Sequence, residues 1–329
     1  MHDVLIIGAG NIAGGFDDDR PVDALPFSHA GAYRRHGGFR LAACVEPDQV
    51  RRTAFMQRWG VAQGYATTAE VVLEGKRFDV ISICSPTAAH AADLETAIAL
   101  KPRLIFCEKP VTSSAAQTAA LTEKCNQAGI QLAVNYTRRW DASVRQMGKE
   151  LRTGKWGAVR SAAISYNKGV LNNGSHMIDL LHLLLGSVDV IAAGPPVSDM
   201  WAEDPSVPGL LKVGAIPVTM NCGHASDYTI FELQLVTERG VILMQDGGMT
   251  WRMRHPVDNY HFKGYRSLAQ EEVVPGGLPA AMLAAVEEIH AVLNAGATLS
   301  SSADNALAVQ RVCETLYTLS LASQREKQT

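Results

Sequence analysis

Short unbroken apolar runs alternate with longer stretches of helical periodicity through residues 1–135. The runs Val4–Gly8, Leu41–Glu46, Val80–Cys84, Leu104–Cys107 and Gln131–Asn135 are too short for helices and too uniformly apolar for strands with one wet face. They predict parallel strands covered on both sides. Between them, His90–Leu100 carries Ala91, Leu94, Ala97 and Ile98 at helical spacing. Ser113–Ala128 begins on two cap-forming serines and stops at Gly129. Strand–helix alternation with right-handed crossovers gives a doubly wound α/β sheet.

The pattern changes after Asn135. Asp141–Gly154 predicts a linking helix, Ala158–Tyr166 a strand, and Gly174–Leu185 an apolar helix stopped by Gly186. Val213–Cys222, Tyr228–Val236 and Gly240–Gln245 alternate apolar with polar residues, as strands of a mostly antiparallel, open-faced sheet do. Two helices, about 280–293 and 303–322, close the chain, and the tail Gln324–Thr329 is expected to fray. The length of 329 residues fits two domains. They are read as 1–135, the doubly wound domain, and 136–329, an α+β domain whose last helix is expected to pack back on the first.

Composition narrows the class. Apolar content of 47% and charged content of 19% are those of a soluble globular enzyme. A net charge of −3, with Arg34-Arg35, Arg51-Arg52 and Arg138-Arg139 as isolated basic pairs, argues against a nucleic-acid surface. Val4–Ile7 is too short for a signal core or a membrane span, so a cytoplasmic protein without a membrane partner is expected. The six cysteines are scattered without a CxxC pair and read as small core residues. His255 and His261 lack a carboxylate at ligand spacing, and no metal is expected.

The first run leads into Gly8-Ala9-Gly10-Asn11-Ile12-Ala13, a GxGxxA pattern read as opening a helix. Gly8 permits the tight turn, Gly10 lets backbone approach a pyrophosphate, and Ala13 lets the helix pack on the sheet. Glu46 ends the second run, where a carboxylate accepts from a ribose diol and repels a 2′-phosphate. NAD is therefore favoured, and Arg51 and Arg52 keep NADP as the lesser alternative. The spacing to Glu46 exceeds the usual ~20 residues. An insertion near Gly14–Phe27 explains it, and its Asp17-Asp18-Asp19 reads as a solvated loop, with a lid over the substrate as the second choice.

Glu108-Lys109-Pro110 follows the fourth of these runs. Open α/β sheets bind ligands at such strand ends, and an ammonium there is costly unless paired. A surface lysine before a turn proline is the competing reading. Ser85-Pro86-Thr87 with His90, and Asn172-Asn173-Gly174-Ser175-His176-Met177-Ile178-Asp179, are the other segments expected near a nicotinamide. His176 sits beside small polar residues at a helix start, and an imidazole titrates near 6.5, suited to taking a hydroxyl proton. His182 lies among leucines and reads as packing.

The GxGxxA loop, Glu108-Lys109-Pro110, Asn135-Tyr136-Thr137-Arg138-Arg139-Trp140 and Gly174-Ser175-His176-x-x-Asp179 together, in this order, resemble the Gfo/Idh/MocA oxidoreductase family (glucose–fructose oxidoreductase, inositol dehydrogenase, rhizopine catabolism). The resemblance implies a Rossmann domain and a substrate domain whose open sheet often forms a dimer or tetramer interface. It implies NAD(P)-dependent oxidation or reduction of sugars, cyclitols or nucleotide sugars. By it, Lys109 binds the reacting hydroxyl, His176 is the general acid/base, and Asp179 holds substrate or structure. Many members carry Asp four residues before the histidine; here Asn172 stands there and cannot relay a proton. The Asn-x-Gly-x-His form resembles members acting on nucleotide sugars. Ser85, Pro86, His90 and Glu108 join Lys109 as expected cofactor contacts. Tyr136, Arg139, Asn167, Lys168, Asn172 and Asn173 are candidates for sugar hydroxyls, with ordinary packing an equal reading for most. Two other functions stay open: a lyase or hydrolase in which hydride is taken and returned, and an inactive NAD-binding sensor.

Overall fold

The computed structural model of the chain describes residues 1–21 and 23–325, so 326–329 of the tail expected to fray lie outside it. Residues Met1–Trp140 with Pro279–Leu307 form one packed unit; Asp141–Leu278 with the chain from Ala308 onward form another. The first boundary thus falls after Trp140 rather than Asn135.

The first unit is built on six parallel strands: β1 (His2–Ile7), β2 (Phe39–Val45), β3 (Gln63–Tyr65), β4 (Val80–Ile83), β5 (Leu104–Cys107) and β6 (Gln131–Val134). Their order is β3-β2-β1-β4-β5-β6. The winding reverses between β1 and β4, the place where such sheets bind ligands. Helices α1 (His29–His36), α2 (Gln49–Trp59), α3 (Thr68–Glu74), α4 (Thr87–Ala99) and α5 (Ala115–Gln127) connect the strands. Ser28, Asp48, Thr67 and Ser114 cap four of them by accepting from a backbone N–H three residues on. Val4, Leu5, Ile6, Val80, Ile81, Leu104, Ile105 and Phe106 are fully buried, as unbroken apolar runs require. The short polar strand β3 lacks such a run, which is why it escapes a reading by hydropathy.

The first crossover departs from expectation. No helix follows the glycine turn directly: residues 11–14 form a turn, Gly15–Asp17 a single 3-10 turn, and α1 starts only at His29. The helical hydrogen-bond ladder nevertheless closes across the gap. His29 N–H donates to the Ile12 carbonyl at 3.0 Å and Ala30 N–H to that of Ala13 at 2.9 Å. An uninterrupted helix reaches back four residues. From 29 to 12 and from 30 to 13 each bond reaches back 17, so 13 residues are looped out of an otherwise registered helix. The excursion is sealed at its base by Asp17, which is buried rather than solvated. Its carboxylate accepts from Phe27 N at 2.9 Å, Ser28 N at 2.9 Å and Ser28 Oγ at 2.5 Å. Asp18 and Asp19 are exposed, as expected of a solvated run.

The second unit holds α6 (Ala142–Arg152), β7 (Val159–Tyr166), α7 (Ser175–Leu184), β8 (Val188–Ala193), β9 (Gly209–Val213), β10 (Ile216–Cys222), β11 (Phe231–Thr237), β12 (Gly240–Gln245), β13 (Thr250–Arg254), β14 (Pro256–Asp258), β15 (Arg266–Leu268) and β16 (Glu272–Pro275). Eight of these strands form one sheet, β16-β13-β12-β11-β7-β10-β9-β8. Only the central β7–β10 pair is parallel. The stretch read as one strand, Val213–Cys222, is the end of β9, a turn with Gly214 at φ +59°, and β10. One face buries Ile164, Tyr166, Leu211, Met220, Leu233, Met244 and Trp251. The opposite face leaves Leu210, Val236 and Val273 exposed.

Helix α8 (Leu278–Ala295) lies almost wholly in the first unit, and α9 (Ala303–Arg325) runs mainly in the second. The first unit thus takes in nearly all of α8 and the first residues of α9. By length and composition α8 could cross a membrane. It carries Glu287 and Glu288, however, and buries Ala281, Met282, Ala285, Val286 and Ile289 in the core. Glu288 accepts from Trp140 Nε1 at 2.9 Å. That is a core helix of a folded unit.

Candidate functional site

The glycine loop is shaped by two different needs. Gly8 has φ +90°, and a Cβ on it would stand 2.6 Å from Ser85 N, so the backbones after β1 and β4 touch here. A Cβ on Gly10 would meet nothing within 4 Å. Packing does not ask for glycine there; the bare backbone faces a cavity of about 560 Å³ lined by Ala9, Gly10, Asn11, Asp18 and Arg51 among others. Ile12 and Ala13 lend their carbonyls to the resumed helix, and Ala13 is fully buried. Asp18 therefore stands in the cavity wall beside the loop, with Arg58 Nε 3.9 Å from its carboxylate.

Glu46 is buried at the end of β2. It accepts from Ala9 N at 3.0 Å and Asp48 N at 3.0 Å, with Arg51 Nη1 3.6 Å away. These bonds tie the second strand to the glycine loop. A carboxylate offers about four lone-pair sites, so acceptor capacity remains for a diol.

The loops after β4 and β5 are cross-braced. Ser85 Oγ donates to Asp93 at 2.5 Å. Burial pushes the Asp93 carboxyl up, and Ser85 and His90 only partly hold it down. Pro86 is the residue before α4. His90 is buried, with Nδ1 2.8 Å from the Pro110 carbonyl and Nε2 2.8 Å from that of Ser85. Carbonyls only accept, so the ring braces one loop or the other according to tautomer, and both when doubly protonated. Expected as a cofactor contact, His90 instead has both nitrogens turned to the protein.

Glu108 and Lys109 follow β5 directly, and the Lys109–Pro110 peptide is cis. Glu108 Oε1 accepts from Asn135 Nδ2 at 2.6 Å and His29 Nε2 at 3.0 Å. Burial pushes the Glu108 carboxyl up, but His29, Asn135 and the Lys109 charge outweigh it and leave the group below the usual carboxylate range. Behind His29 the network continues: Nδ1 lies 3.3 Å from Ser82 Oγ, which lies 2.9 Å from Tyr33 OH. All three side chains are fully buried. A ring protonated on Nε2, accepting at Nδ1 from Ser82, satisfies every member of this chain. Tyr136 is buried after β6, and Arg139 donates to the Ser300 carbonyl at 3.1 Å.

In the second unit the expected contacts surround one turn. Asn167 is fully buried; its amide donates to the Tyr228 carbonyl at 2.6 Å and its Oδ1 accepts from Ile230 N at 3.2 Å. That ties β7 to the loop before β11. Lys168 takes the left-handed conformation, φ 65°. Gly169–Gly174 then winds as a π-helical turn that runs into α7. Such wide turns are rare and concentrate at functional sites. Asp204 clamps this one, accepting from Leu171 N at 2.8 Å and Asn172 N at 2.9 Å, while Asp199 accepts from Lys168 N. Asn172 donates its amide to the Lys168 carbonyl at 3.1 Å, and Asn173 is half-buried. Gly174 lets α7 approach β7, where a Cβ would sit 3.0 Å from Tyr166. His176 is half-buried, its ring edge-on to Phe231 with centroids 6.4 Å apart, and Asp179 is buried one turn further along.

Reading by motif misses His29, Ser82, Asp93 and Asp204. His29 lies beyond the insertion, so no fixed offset from the glycines finds it. A histidine opening the first helix after a cap-forming serine was the available signal. Among the described residues no group of three or more His, Cys, Asp or Glu side chains could hold a metal.

Residues 2–136 match the family model described as an oxidoreductase family with an NAD-binding Rossmann fold. The chain is 27% identical over 218 residues to a D-apiose dehydrogenase from Paraburkholderia graminis; the match covers 60% of this chain and spans 58% of that relative's length. Its fold is shared with a solved oxidoreductase from Agrobacterium radiobacter in complex with NAD+, L-tartaric acid and magnesium. There the TM-score is 0.77 and identity 18%, over 97% of this chain and 96% of the other. It is shared too with KijD10, a 3-ketoreductase from Actinomadura kijaniata in complex with NADP and TDP-benzene, with TM-score 0.76 and 17% identity over 97% of both chains. Residues 2–136 thus carry the NAD-binding Rossmann domain described for the Gfo/Idh/MocA oxidoreductases, and the chain as a whole shares the fold of these solved structures.

Proposed function

We propose that the chain is an NAD-dependent oxidoreductase acting between a secondary alcohol and a ketone on a sugar, cyclitol or nucleotide sugar. The observation that carries this reading is Lys109 at the carboxyl end of β5, its neighbour Glu108 locked by His29 and Asn135. It stands in the same parallel sheet as a glycine loop that opens on a cavity. When bound, NAD supplies the hydride acceptor or donor. Gly10 and Asn11 would face its pyrophosphate, and Glu46 its ribose diol. The charges of Glu46 and Asp18 oppose a 2′-phosphate, which supports NAD over NADP. Arg51, close to Glu46, is the side chain a 2′-phosphate would recruit.

Lys109, as an ammonium, stabilises negative charge developing on the reacting oxygen. His176 is the side chain of the second unit suited to taking a proton in oxidation and returning it in reduction. Asn172 orients but carries no proton, so proton handling rests on His176 and charge handling on Lys109. The deciding experiment follows nicotinamide absorbance with NAD and NADP against cyclitols, free sugars and UDP-sugars. NAD reduction by one substrate class is expected. Product formed without absorbance change would replace this reading with transient-oxidation chemistry, and no turnover with any class would favour a sensor. The exposed Leu210, Val236 and Val273 on the open sheet face support assembly of copies through it, which light scattering on the purified protein tests.

A further inference from the structure

The looped-out residues of the first crossover build something besides a detour. Beside α1 and α2 they enclose a cavity of about 250 Å³ whose wall includes Arg20, Arg34, Arg35, Arg58, Asp17 and Trp59. Four arginines and one aspartate line it, on a chain whose net charge is −3. The carboxylate is already committed, since Asp17 accepts from Phe27 and Ser28. Some of the cationic capacity holds the loop: Arg58 Nη2 donates to the Asp17 carbonyl at 2.8 Å, Arg34 Nη1 to that of Arg58 at 3.1 Å, and Arg20 Nη2 to that of Leu25 at 3.1 Å. Yet Arg20 Nε and Arg58 Nε are buried and make no hydrogen bond among the described residues. They lie 3.5 Å from Asp17 and 3.9 Å from Asp18, within ion-pair range but without donor geometry. Arg20 also stacks over Phe27 at 4.2 Å, which presents its guanidinium edge in a fixed plane.

We propose that this cavity is a second anion site, separate from the dinucleotide pocket, that takes a phosphate dianion: inorganic phosphate or the phosphomonoester end of a small metabolite. Forked guanidinium donors match phosphate oxygens in pairs. The volume is a little below the roughly 300 Å³ at which drug-sized ligand pockets begin, so it fits a phosphate group rather than a nucleotide. Arg58 and Trp59 line this cavity and the one beside Gly10, so occupancy of one bears on the other.

The test is calorimetric titration of inorganic phosphate, and separately glucose 6-phosphate, into the full-length protein, with chloride at matched ionic strength as control. Each is run with and without saturating NAD. Saturable phosphate binding that persists with NAD present, and weakens tenfold or more in Arg35→Ala, is expected. Arg35 is exposed on α1, so this variant should fold, and Arg35→Lys should recover part of the affinity. Preference for glucose 6-phosphate would identify the metabolite, and equal binding the free ion. Heat no greater than chloride's, Arg35→Ala binding unchanged, or competitive displacement of phosphate by NAD would each overturn the proposal. The titration without NAD stands even if the chain binds no dinucleotide.

Discussion

Lys109 and His176 are held in place by different means. Around Lys109 the scaffold is side chain on side chain: Tyr33, Ser82, His29, Glu108 and Asn135 form one buried hydrogen-bonded chain beneath the strand ends. Before His176 it is backbone on side chain: the amides of Lys168, Leu171 and Asn172 donate to Asp199 and Asp204 around a π-helical turn. A buried polar chain is rigid when every member is satisfied and fails as a unit when one is lost. A set of amide clamps on a half-buried turn fails piecemeal, because water can replace each acceptor. On the proposed roles, the first arrangement would keep the Lys109 charge fixed and the second would leave His176 able to exchange protons with its surroundings.

The sharpest break in this comparison comes from removing the two groups themselves. Lys109→Ala should lower kcat by about 10³-fold, the scale of losing a preorganised donor to a developing oxyanion, with NAD affinity nearly unchanged in calorimetry. His176→Ala should cost about 10²-fold or more in kcat. If both act in one step, the double variant should lose far less than the product of the two. Unchanged turnover in Lys109→Ala would end its assignment.

Next in size is the side-chain network. His29→Phe removes the donor to Glu108 Oε1 and the acceptor for Ser82, leaving buried groups unpaired at about 1–3 kcal/mol. The pH dependence should change with it. In the native protein the folded Glu108 value lies below the ordinary one, so its contribution to stability is fully present above about 4.3 and is lost as pH falls through the lower folded value. Without His29 the burial that pushes Glu108 up is less opposed, so its folded value moves toward the ordinary one, and the loss of stability on acidification should be smaller and end at higher pH. Urea unfolding of both proteins across the acid range measures this. Identical pH curves would show that His29 does not hold the carboxylate.

Much of this was legible in the chain. The parallel strands follow from unbroken apolar runs such as Leu104–Cys107, and Lys109 is found where such a strand ends. The helix directly after Gly10 was misread because GxGxxA implies helix continuation, whereas here the helix resumes only at His29. Asp17 looked solvated because acid runs usually are; tertiary hydrogen bonds to Phe27 and Ser28, invisible to local pattern, bury it. Asp199 and Asp204 fall in a proline-marked irregular connection, where hydropathy carries no periodic signal. His90 had the right address for a ligand, but which way a ring turns depends on two backbone carbonyls brought together only by folding.

Smaller still is the effect of loosening one amide clamp. Asp204→Ala should cost about 1 kcal/mol, the lower end for lost acceptors at a half-buried turn, and lower kcat severalfold while leaving NAD affinity alone. A larger loss of stability than in His29→Phe would reverse the distinction drawn above.

An effect confined to cofactor affinity, with turnover otherwise kept, tests how tightly the cofactor end is specified. Glu46 is held by Ala9 N and Asp48 N, so its removal frees one amide at the loop that would face the pyrophosphate and one at the start of α2. Glu46→Ala should weaken NAD by roughly tenfold, the ~1.4 kcal/mol scale of one charge-assisted bond, and should leave NADP affinity unchanged or improved. The improvement would come through Arg51, which loses its carboxylate partner and gains freedom to meet a 2′-phosphate. Arg51→Ala in the same background should cancel that gain. Native preference for NADP over NAD would mean that Arg51, not Glu46, governs the choice, and that the carboxylate serves the loop rather than the ribose.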